Sequence, residues 1–543
     1  MQRLCPENAH IATSLVSPYL FPTFFFTRMQ GHISFVNKEK CMNMDRTLEA
    51  KNPATTEGGY IYNRISFWLN GEPITADIPP AQTTLEFLHT IQGMWGTKCS
   101  CNEGDCGACT VVVARPVDGR VIYEAVNSCL YTAARLHGKH LITIEGLGTP
   151  EVLHPIQKAL LDFHGSQCGY CTPGFVMSLF AMFAEPGSPS EERIMAALEG
   201  NLCRCTGYTS ILEAARHIGG SCSRRDIVPL WCDGPEAQML SFHQPQELIV
   251  KSSDRIHPSH VYYIPESFET LFSLMQEHPN HVLISGGTDV MVQMNIQRKV
   301  YPVMIDLSAL PEMSKVELAN DCLKIGANVT YSYLQEHPLV EQHIPVLKEW
   351  IGLIASKQIR NFGTMAGNIA NASPIGDSMP LLLALESSVI LISRDGSREV
   401  ALQDFFVEYR NTALTGGEII QYVKIPIPAK DAFIRTHKAA KRKAVDISSV
   451  ASAVRIELSE TGTIRKAYLG LGGVAAIPKL SINFRKAMQD MELQGLQIKD
   501  IAEYVADEFQ PLSDVRGSKQ YRRVLIRNHV IAYLSEFLEG RQA

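Results

Sequence analysis

Residues 96–110 read GTKCSCNEGDCGACT, and Cys129 follows downstream. Cys101, Cys106 and Cys109 stand at a C-x4-C-x2-C spacing, which with one distant cysteine is the plant-type pattern for a 2Fe–2S cluster. The spacing has a geometric reason. Three thiolates must wrap one compact cluster, so the loop folds tightly. Gly104, Gly107 and Ala108 lack the bulk that would keep backbone N–H groups away from the sulfurs. A structural zinc site favours two cysteine pairs held apart over three cysteines on one Gly-rich loop. Cys99 is not needed by the spacing and is expected to be a small buried side chain.

A second set comprises Cys168 and Cys171 in QCGYCTPG (167–174), then Cys203 and Cys205 in GNLCRCTGY (200–208). Alone, CxxC followed by CxC reads equally as zinc or iron–sulfur. The neighbouring plant-type pattern favours a second redox centre. The remaining cysteines, Cys5, Cys41, Cys222, Cys232 and Cys322, are scattered. Close-spaced cysteines, with no secretory signal of the usual form, fit a reducing compartment and a cytoplasmic protein better than a disulfide framework. The net charge is −6 with no basic block, so nucleic acid is not an expected partner. No stretch reaches the ~20 apolar residues a membrane span needs.

A length of 543 residues suggests three to four domains, about 150 residues each. Residues 1–59, with the Pro-interrupted SPYLFPTFFFT (17–27), are expected to be an over-extended start, Met42 or Met44 being the first residue; a disordered tail or a targeting segment are the alternatives. Residues 60–141 read as a small α+β domain. It has a hairpin turning at Asn70-Gly71 in ISFWLNGEPITADI, a helix over TTLEFLHTIQG with Leu85, Leu88 and Ile91 on one face, and a hairpin at Asp118-Gly119. Residues 142–222 read as a helical bundle, with helices over 154–165, 172–185, 190–200 and 206–220. Thr172-Pro173 and Ser188-Pro189 suit helix starts. Residues 223–255 read as an irregular linker. Residues 256–430 alternate strands and short helices, and 431–543 form a last α+β unit with strands around VASAVRIEL and KAYLGLGGVAAI and helices from about Ile498.

LISGGTDV (283–290) runs from a strand into a Ser-Gly-Gly-Thr loop. Backbone N–H groups beside Gly286 and Gly287, with the Ser285 and Thr288 hydroxyls, can converge on a pyrophosphate. This is not the GxGxxG fingerprint, and a Gly-Gly loop after a strand is more often a plain turn. TMAGN (364–368) adds a second close-approach glycine, Gly367. Asp377 suits a sugar hydroxyl or a ring atom, or is a surface acid.

Taken in order, the three cysteine segments resemble the iron–sulfur region of the molybdenum hydroxylases. LISGGTDV and TMAGNIANASPIGD (364–377) look like the flavin segments of that family, and GLGGVAAIP and PLSDVRGSKQYRR like the domain that closes its flavoprotein half. The resemblance covers about Ile61 to Glu539. It implies a multidomain α+β chain: a β-grasp ferredoxin-like domain, a helical-bundle domain, an FAD-binding domain of the PCMH/vanillyl-alcohol-oxidase kind, and a C-terminal α+β domain of the CO dehydrogenase flavoprotein type. It implies that Cys101, Cys106, Cys109 and Cys129 hold one 2Fe–2S cluster and Cys168, Cys171, Cys203 and Cys205 another. By the same resemblance FAD lies along Leu283, Ile284, Ser285, Gly286, Gly287, Thr288, Asp289, Val290, Thr364, Gly367, Asn368, Asp377, Ile420 and Lys438. Lys438 sits in the run KAAKRK, whose plain reading is a solvated face. Two positions depart from the family: Cys99 replaces an apolar or acidic residue, and Ile354 an aromatic that lies against the flavin in some relatives.

The resemblance further implies an electron-transfer subunit. A large partner would hold molybdopterin, in an α2β2 heterotetramer, and hydroxylate a purine with oxygen from water. Electrons would pass through the helical-domain cluster, the plant-type cluster and FAD to NAD. No catalytic acid or base is expected in this chain. The alternatives are a sibling enzyme acting on aldehydes, N-heterocycles or aryl-CoA, a free-standing electron carrier, and a zinc-stabilised interaction protein.

Overall fold

The computed structural model describes residues 61–62, 64–187, 189–241, 248–251, 260–489 and 497–542. The described residues belong to one compact unit. The expectations for residues 1–59 and for Ser188 lie outside the described residues.

After β1 (Ile61–Tyr62), the hairpin expected at Asn70-Gly71 joins β2 (Arg64–Leu69) to β3 (Glu72–Asp77). Asn70 and Gly71 have φ of 51° and 90°, the paired positive values that match a two-residue turn to the twist of its strands. Asp118 and Gly119 repeat the device between β4 (Thr110–Val117) and β5 (Arg120–Asn127). With β6 (His140–Ile142) these strands form a sheet of order β3-β2-β6-β4-β5.

Strand β4 opens as the unbroken run TVVVA because its sheet is covered on both faces. Val111 and Val113 share a core with Leu248, Tyr262 and Ile284, from the sheet that leads into the Ser-Gly-Gly-Thr loop. Val112 and Ala114 point the other way, into a core with Phe175, Phe180 and Ile211 of the helical domain. The helix expected over 83–93 is less regular. Thr83 caps a turn at Thr84–Glu86, which widens into a π-turn over Phe87–Ile91. The wider pitch takes Ile91 off the buried face, leaving it 43% exposed, and Phe87 is buried instead.

Four helices follow as expected: α1 (Pro155–Asp162), α2 (Thr172–Ala184), α3 (Glu191–Leu198) and α4 (Thr209–Ser221). Residues 223–241 are not the irregular linker expected. A turn at Arg224–Ile227, boxed by Ser223 and Asp226, and then α5 (Asp233–Ser241) bury Ile227, Val228, Cys232 and Met239 in the helical domain's core. The scattered Pro and Gly obscured these apolar anchors.

The segment expected as linker also contains β7 (Leu248–Lys251). It enters a sheet of order β1-β7-β8-β10-β9 with β8 (Val261–Ile264), β9 (Val282–Ile284) and β10 (Val303–Asp306). Helix α6 (Thr288–Gln297) leaves β9 directly. A second sheet, β11-β12-β17-β13-β14, contains β11 (Val316–Ala319), β12 (Cys322–Gly326), β13 (Ser388–Ser393), β14 (Gly396–Ala401) and β17 (Ile419–Pro426); β15 (Phe406–Glu408) and β16 (Asn411–Thr412) pair beside it. Between β12 and β13 in sequence lie α7 (Lys357–Arg360) and α8 (Met365–Ala370). The last unit packs a sheet of β18 (Phe433–Ala439), β19 (Val450–Leu458), β20 (Ile464–Gly472) and β21 (Lys479–Leu480) against α9 (Ile498–Asp507) and α10 (Lys519–Gln542). Among the described residues no helix is long and apolar enough to cross a membrane.

Candidate redox site: two thiol sets and a glycine loop

The plant-type loop brings its four cysteines together in twos. The Cys109 and Cys129 sulfurs are 3.3 Å apart, and the Cys101 and Cys106 thiols hydrogen-bond each other. The Cys106 thiol, with backbone N–H groups of Glu103, Cys106 and Asp105, holds the Cys101 thiol down to about 5, against burial. The Cys109 thiol is likewise held down, by Cys129 and by the Asn127 amide, against burial. The same hydrogen bonds, with burial, push the partner thiols Cys106 and Cys129 up, so each twosome favours one thiolate, the form that binds metal. Cys99 corrects the expectation: it is exposed, its thiol 3.4 Å from Asn102 Oδ1. Backbone N–H groups turned towards the sulfurs line the loop's inner side, and Cys99 is left on the rim.

In the helical domain Cys171 pairs with Cys203, and Cys168 with Cys205. Cys168 and Cys171 stand at the start of α2, and Cys203 and Cys205 in the turn before α4. Burial raises the Cys203 thiol, but the Thr206 hydroxyl at 3.1 Å and the N–H groups of Thr206 and Cys205 outweigh it and bring it down. Burial and the Cys203 partner push Cys171 up to about 12. Among the described residues, no three His, Cys, Asp or Glu side chains gather as for one ion. Thiols arranged in twos fit a two-iron cluster, which takes two thiolates per iron, better than one tetrahedral zinc.

The two loops touch. Leu202 N–H donates to the Cys106 carbonyl at 2.9 Å, and Asn201 Nδ2 to the Gly107 carbonyl at 3.2 Å. A Cβ on Gly107 would fall 2.4 Å from the Gly200 carbonyl, and one on Gly174 would fall 2.2 Å from the Gly107 carbonyl. Both glycines are required by this approach.

The Ser-Gly-Gly-Thr loop also forms as expected. Leu283 and Ile284 end β9, with Ile284 buried, and Gly287 caps α6 with no side-chain acceptor on the helix's first N–H groups. That end suits an anion. Ser285 Oγ lies 2.9 Å from Thr364 Oγ1 and donates to the Ala327 carbonyl. A Cβ on Gly286 would strike the Phe362 carbonyl at 2.5 Å. Thr364 caps α8, accepting from Gly367 N–H, and the Asn368 Oδ1 atom is buried without a partner. Burial pushes the Asp289 carboxyl up against the pull of Arg410, and Val290 packs on the adjoining core. Asp377 takes Lys438 Nζ at 2.8 Å and the Ser448 hydroxyl, while Trp350 Nε1 donates to its carbonyl. Lys438 is therefore buried and paired, unlike the solvated face of its run. Ile420 is buried in β17. Ile354 is buried, and its carbonyl accepts from Arg360. The glycine cradle and the orphaned Asn368 oxygen suit a polar ligand such as FAD.

Two tethers were not read from the sequence. Arg135 forms a buried ion pair with Asp306, with Nε 2.6 Å from Oδ2, and donates to the Ser285 and Gly286 carbonyls of the glycine loop. Asn295, on α6, donates to the Cys129 and Asn102 carbonyls at 2.8 and 3.0 Å. One helix thus starts at the glycine loop and grips the plant-type loop two turns on, about 10 Å along its axis. Neither residue belongs to a motif; only their partners in space reveal them.

Four family models match. They are the 2Fe–2S iron–sulfur cluster binding domain (67–133), the 2Fe–2S binding domain (143–216), the FAD binding domain in molybdopterin dehydrogenase (254–428) and the CO dehydrogenase flavoprotein C-terminal domain (435–537). The chain is 31% identical to a xanthine dehydrogenase of Blastobotrys adeninivorans, over 88% of this chain and 41% of that protein. It is 32% identical to a xanthine dehydrogenase of Emericella nidulans, over 76% of this chain and 34% of that one. The chain thus spans well under half the length of these relatives. A quinoline 2-oxidoreductase structure from Pseudomonas putida 86 aligns with TM-score 0.48 and 25% identity, covering 52% of this chain and 98% of that one.

Proposed function

The chain belongs to the molybdenum hydroxylase family as its iron–sulfur and flavin part, and on that premise we propose that it is the electron-transfer subunit of a xanthine dehydrogenase. Its partner is a large molybdopterin-binding subunit in an α2β2 heterotetramer, its final acceptor is NAD, and its compartment is the cytoplasm. When bound, two 2Fe–2S clusters carry single electrons and FAD pairs them for a two-electron acceptor. The observation that carries the reading is the arrangement of eight thiols in twos, in two sets joined by a backbone hydrogen bond from Leu202 to Cys106.

Cys101, Cys106, Cys109 and Cys129 hold one cluster, and Cys168, Cys171, Cys203 and Cys205 the other. N–H groups of the plant-type loop offset the charge of its thiolates. The helical set faces outward: Cys168 and Cys205 are exposed beside Tyr170 (48%) and Leu202 (44%), a surface suited to a partner that must bring its own centre close. The glycine loop and Thr364 take the flavin's pyrophosphate, while Asp377 and Lys438 orient its polar groups. The similarity to xanthine dehydrogenases supports a purine substrate.

Metal and flavin analysis of the purified chain tests the cofactor reading: about four iron atoms per chain, FAD and no zinc are expected, and zinc without visible absorption overturns it. Purification with the large subunit tests the rest. NAD reduction with xanthine supports it, and turnover only with an aldehyde or another heterocycle reassigns the substrate.

A further inference from the structure

We infer that Gln358, on α7 of the flavin domain, is a positioning residue for the iron–sulfur pair: through Asn201 it fixes the spacing between the two cysteine loops. The inference rests on the proposal that each cysteine set carries a cluster. Gln358 is fully buried. Its Nε2 donates to Asn201 Oδ1 at 2.9 Å and to Ser178 Oγ at 3.1 Å, and Ser178 Oγ donates to the same Asn201 oxygen at 2.7 Å. Asn201 in turn donates to the Gly107 carbonyl. Asn201 stands two residues before Cys203, Gly107 directly after Cys106, and Ser178 on the helix that starts after Cys171. Four polar groups from three parts of the chain thus meet where the two loops touch.

The energetics argue that the amide is there for its geometry. Gln358 Oε1 has no hydrogen-bond partner, and a Cβ on Gly200 would fall 2.1 Å from it. A buried acceptor left unpaired is costly, and an apolar side chain of similar volume would avoid that cost. A leucine cannot offer one planar nitrogen with two donors, aimed at the two residues that hold the helical loop against Gly107.

Residues 359–361 also reach the iron–sulfur half. Ile359 packs over Gly104 of the plant-type loop, Arg360 Nη2 pairs with Glu199 at 2.6 Å, and Asn361 Nδ2 donates to the Ala125 carbonyl at 2.7 Å. The segment then runs into Phe362 and Gly363, which pack on Gly286 of the glycine loop. One short segment of the flavin domain therefore touches both cysteine loops and the flavin loop.

The test is low-temperature electron paramagnetic resonance of the dithionite-reduced full chain. Wild type should show two iron–sulfur signals with a spin–spin splitting between them. Gln358→Leu should keep its iron and both signals but shift or lose the splitting. Ser178→Ala, which removes only the shared hydroxyl, should shift it less and in the same direction, and decides the matter if Gln358→Leu does not fold. Lys348→Ala in the same domain, whose ammonium meets Glu341 of that domain, should leave the splitting unchanged. Unchanged splitting at full iron content in both test variants overturns the inference, as does loss of iron from both, which makes the cluster of polar groups a structural support only. Absence of two signals in wild type instead overturns the cluster reading, and the inference with it.

Discussion

Cys109 and Cys129 are 2% and 1% exposed and sit inside a hydrophobic core, whereas Cys168 and Cys205 lie on the surface. The two sets have the same donors and the same pairing in twos, yet one keeps a twosome inside a domain's core and the other keeps a twosome on the surface, the remaining four thiols being half-buried. Burial, N–H bonds to sulfur and exclusion of water are the levers that separate the potentials of two otherwise equal clusters. The comparison teaches that the chain sets its two centres apart by depth rather than by ligand type.

The most direct way to break this contrast is to remove one thiol from each set. Cys109→Ser should lose half the iron and cost upward of ~4 kcal/mol, since a core group and a metal site go together. Cys205→Ser should also lose half the iron but cost only about 2 kcal/mol by urea unfolding, since a metal site goes without any core group. Equal destabilisation would erase the distinction. Next in size is Arg135→Leu, which should cost about 3–5 kcal/mol by leaving Asp306 buried and unpaired. Burial raises the Asp306 carboxyl, but the Arg135 guanidinium and the Tyr262 hydroxyl outweigh it and hold it below the usual range. A depressed folded pKa gives stability that is present above the unfolded value near ~3.9 and lost as pH falls through the folded value. The gap between wild type and variant in urea midpoint should therefore be full at neutral pH and narrow in acid.

Lys438→Met tests whether depth matters equally at the flavin end. It leaves Asp377 short of its partner and should weaken FAD binding by ~2 kcal/mol, roughly thirtyfold in a fluorescence titration. The smallest effect belongs to Cys99→Ser. This rim thiol should change stability by less than ~0.5 kcal/mol and iron content not at all; iron loss would make Cys99 a participant in the buried set.

What the sequence made legible was whatever is encoded over a few residues. The x4/x2 spacing, the Asn70-Gly71 and Asp118-Gly119 turns and the helix over 206–220 are all local, and all appear. Which cysteine of the helical set meets which was not legible, because Cys168 and Cys205 approach only once two helices pack. Arg135 finds Asp306 across 171 residues, and Gln358 finds Asn201 across 157; no pattern at either end announces the other. Residues 223–241 failed for a different reason. Their helices are short and their anchors few, so Pro and Gly dominated the local signal while burial decided the outcome.

The first described strand has a consequence for how this chain can be divided. Ile61–Tyr62 pairs in parallel with Leu248–Ile249 at the edge of the flavin-side sheet, and everything between, both cysteine sets included, loops out from that edge and returns to it. In its described part the iron–sulfur half is thus inserted into the flavoprotein half rather than strung before it. A protease cut between the halves would leave two fragments still stitched by shared strands, and a flavin domain expressed from residue 248 onward would begin with a bare, adhesive edge.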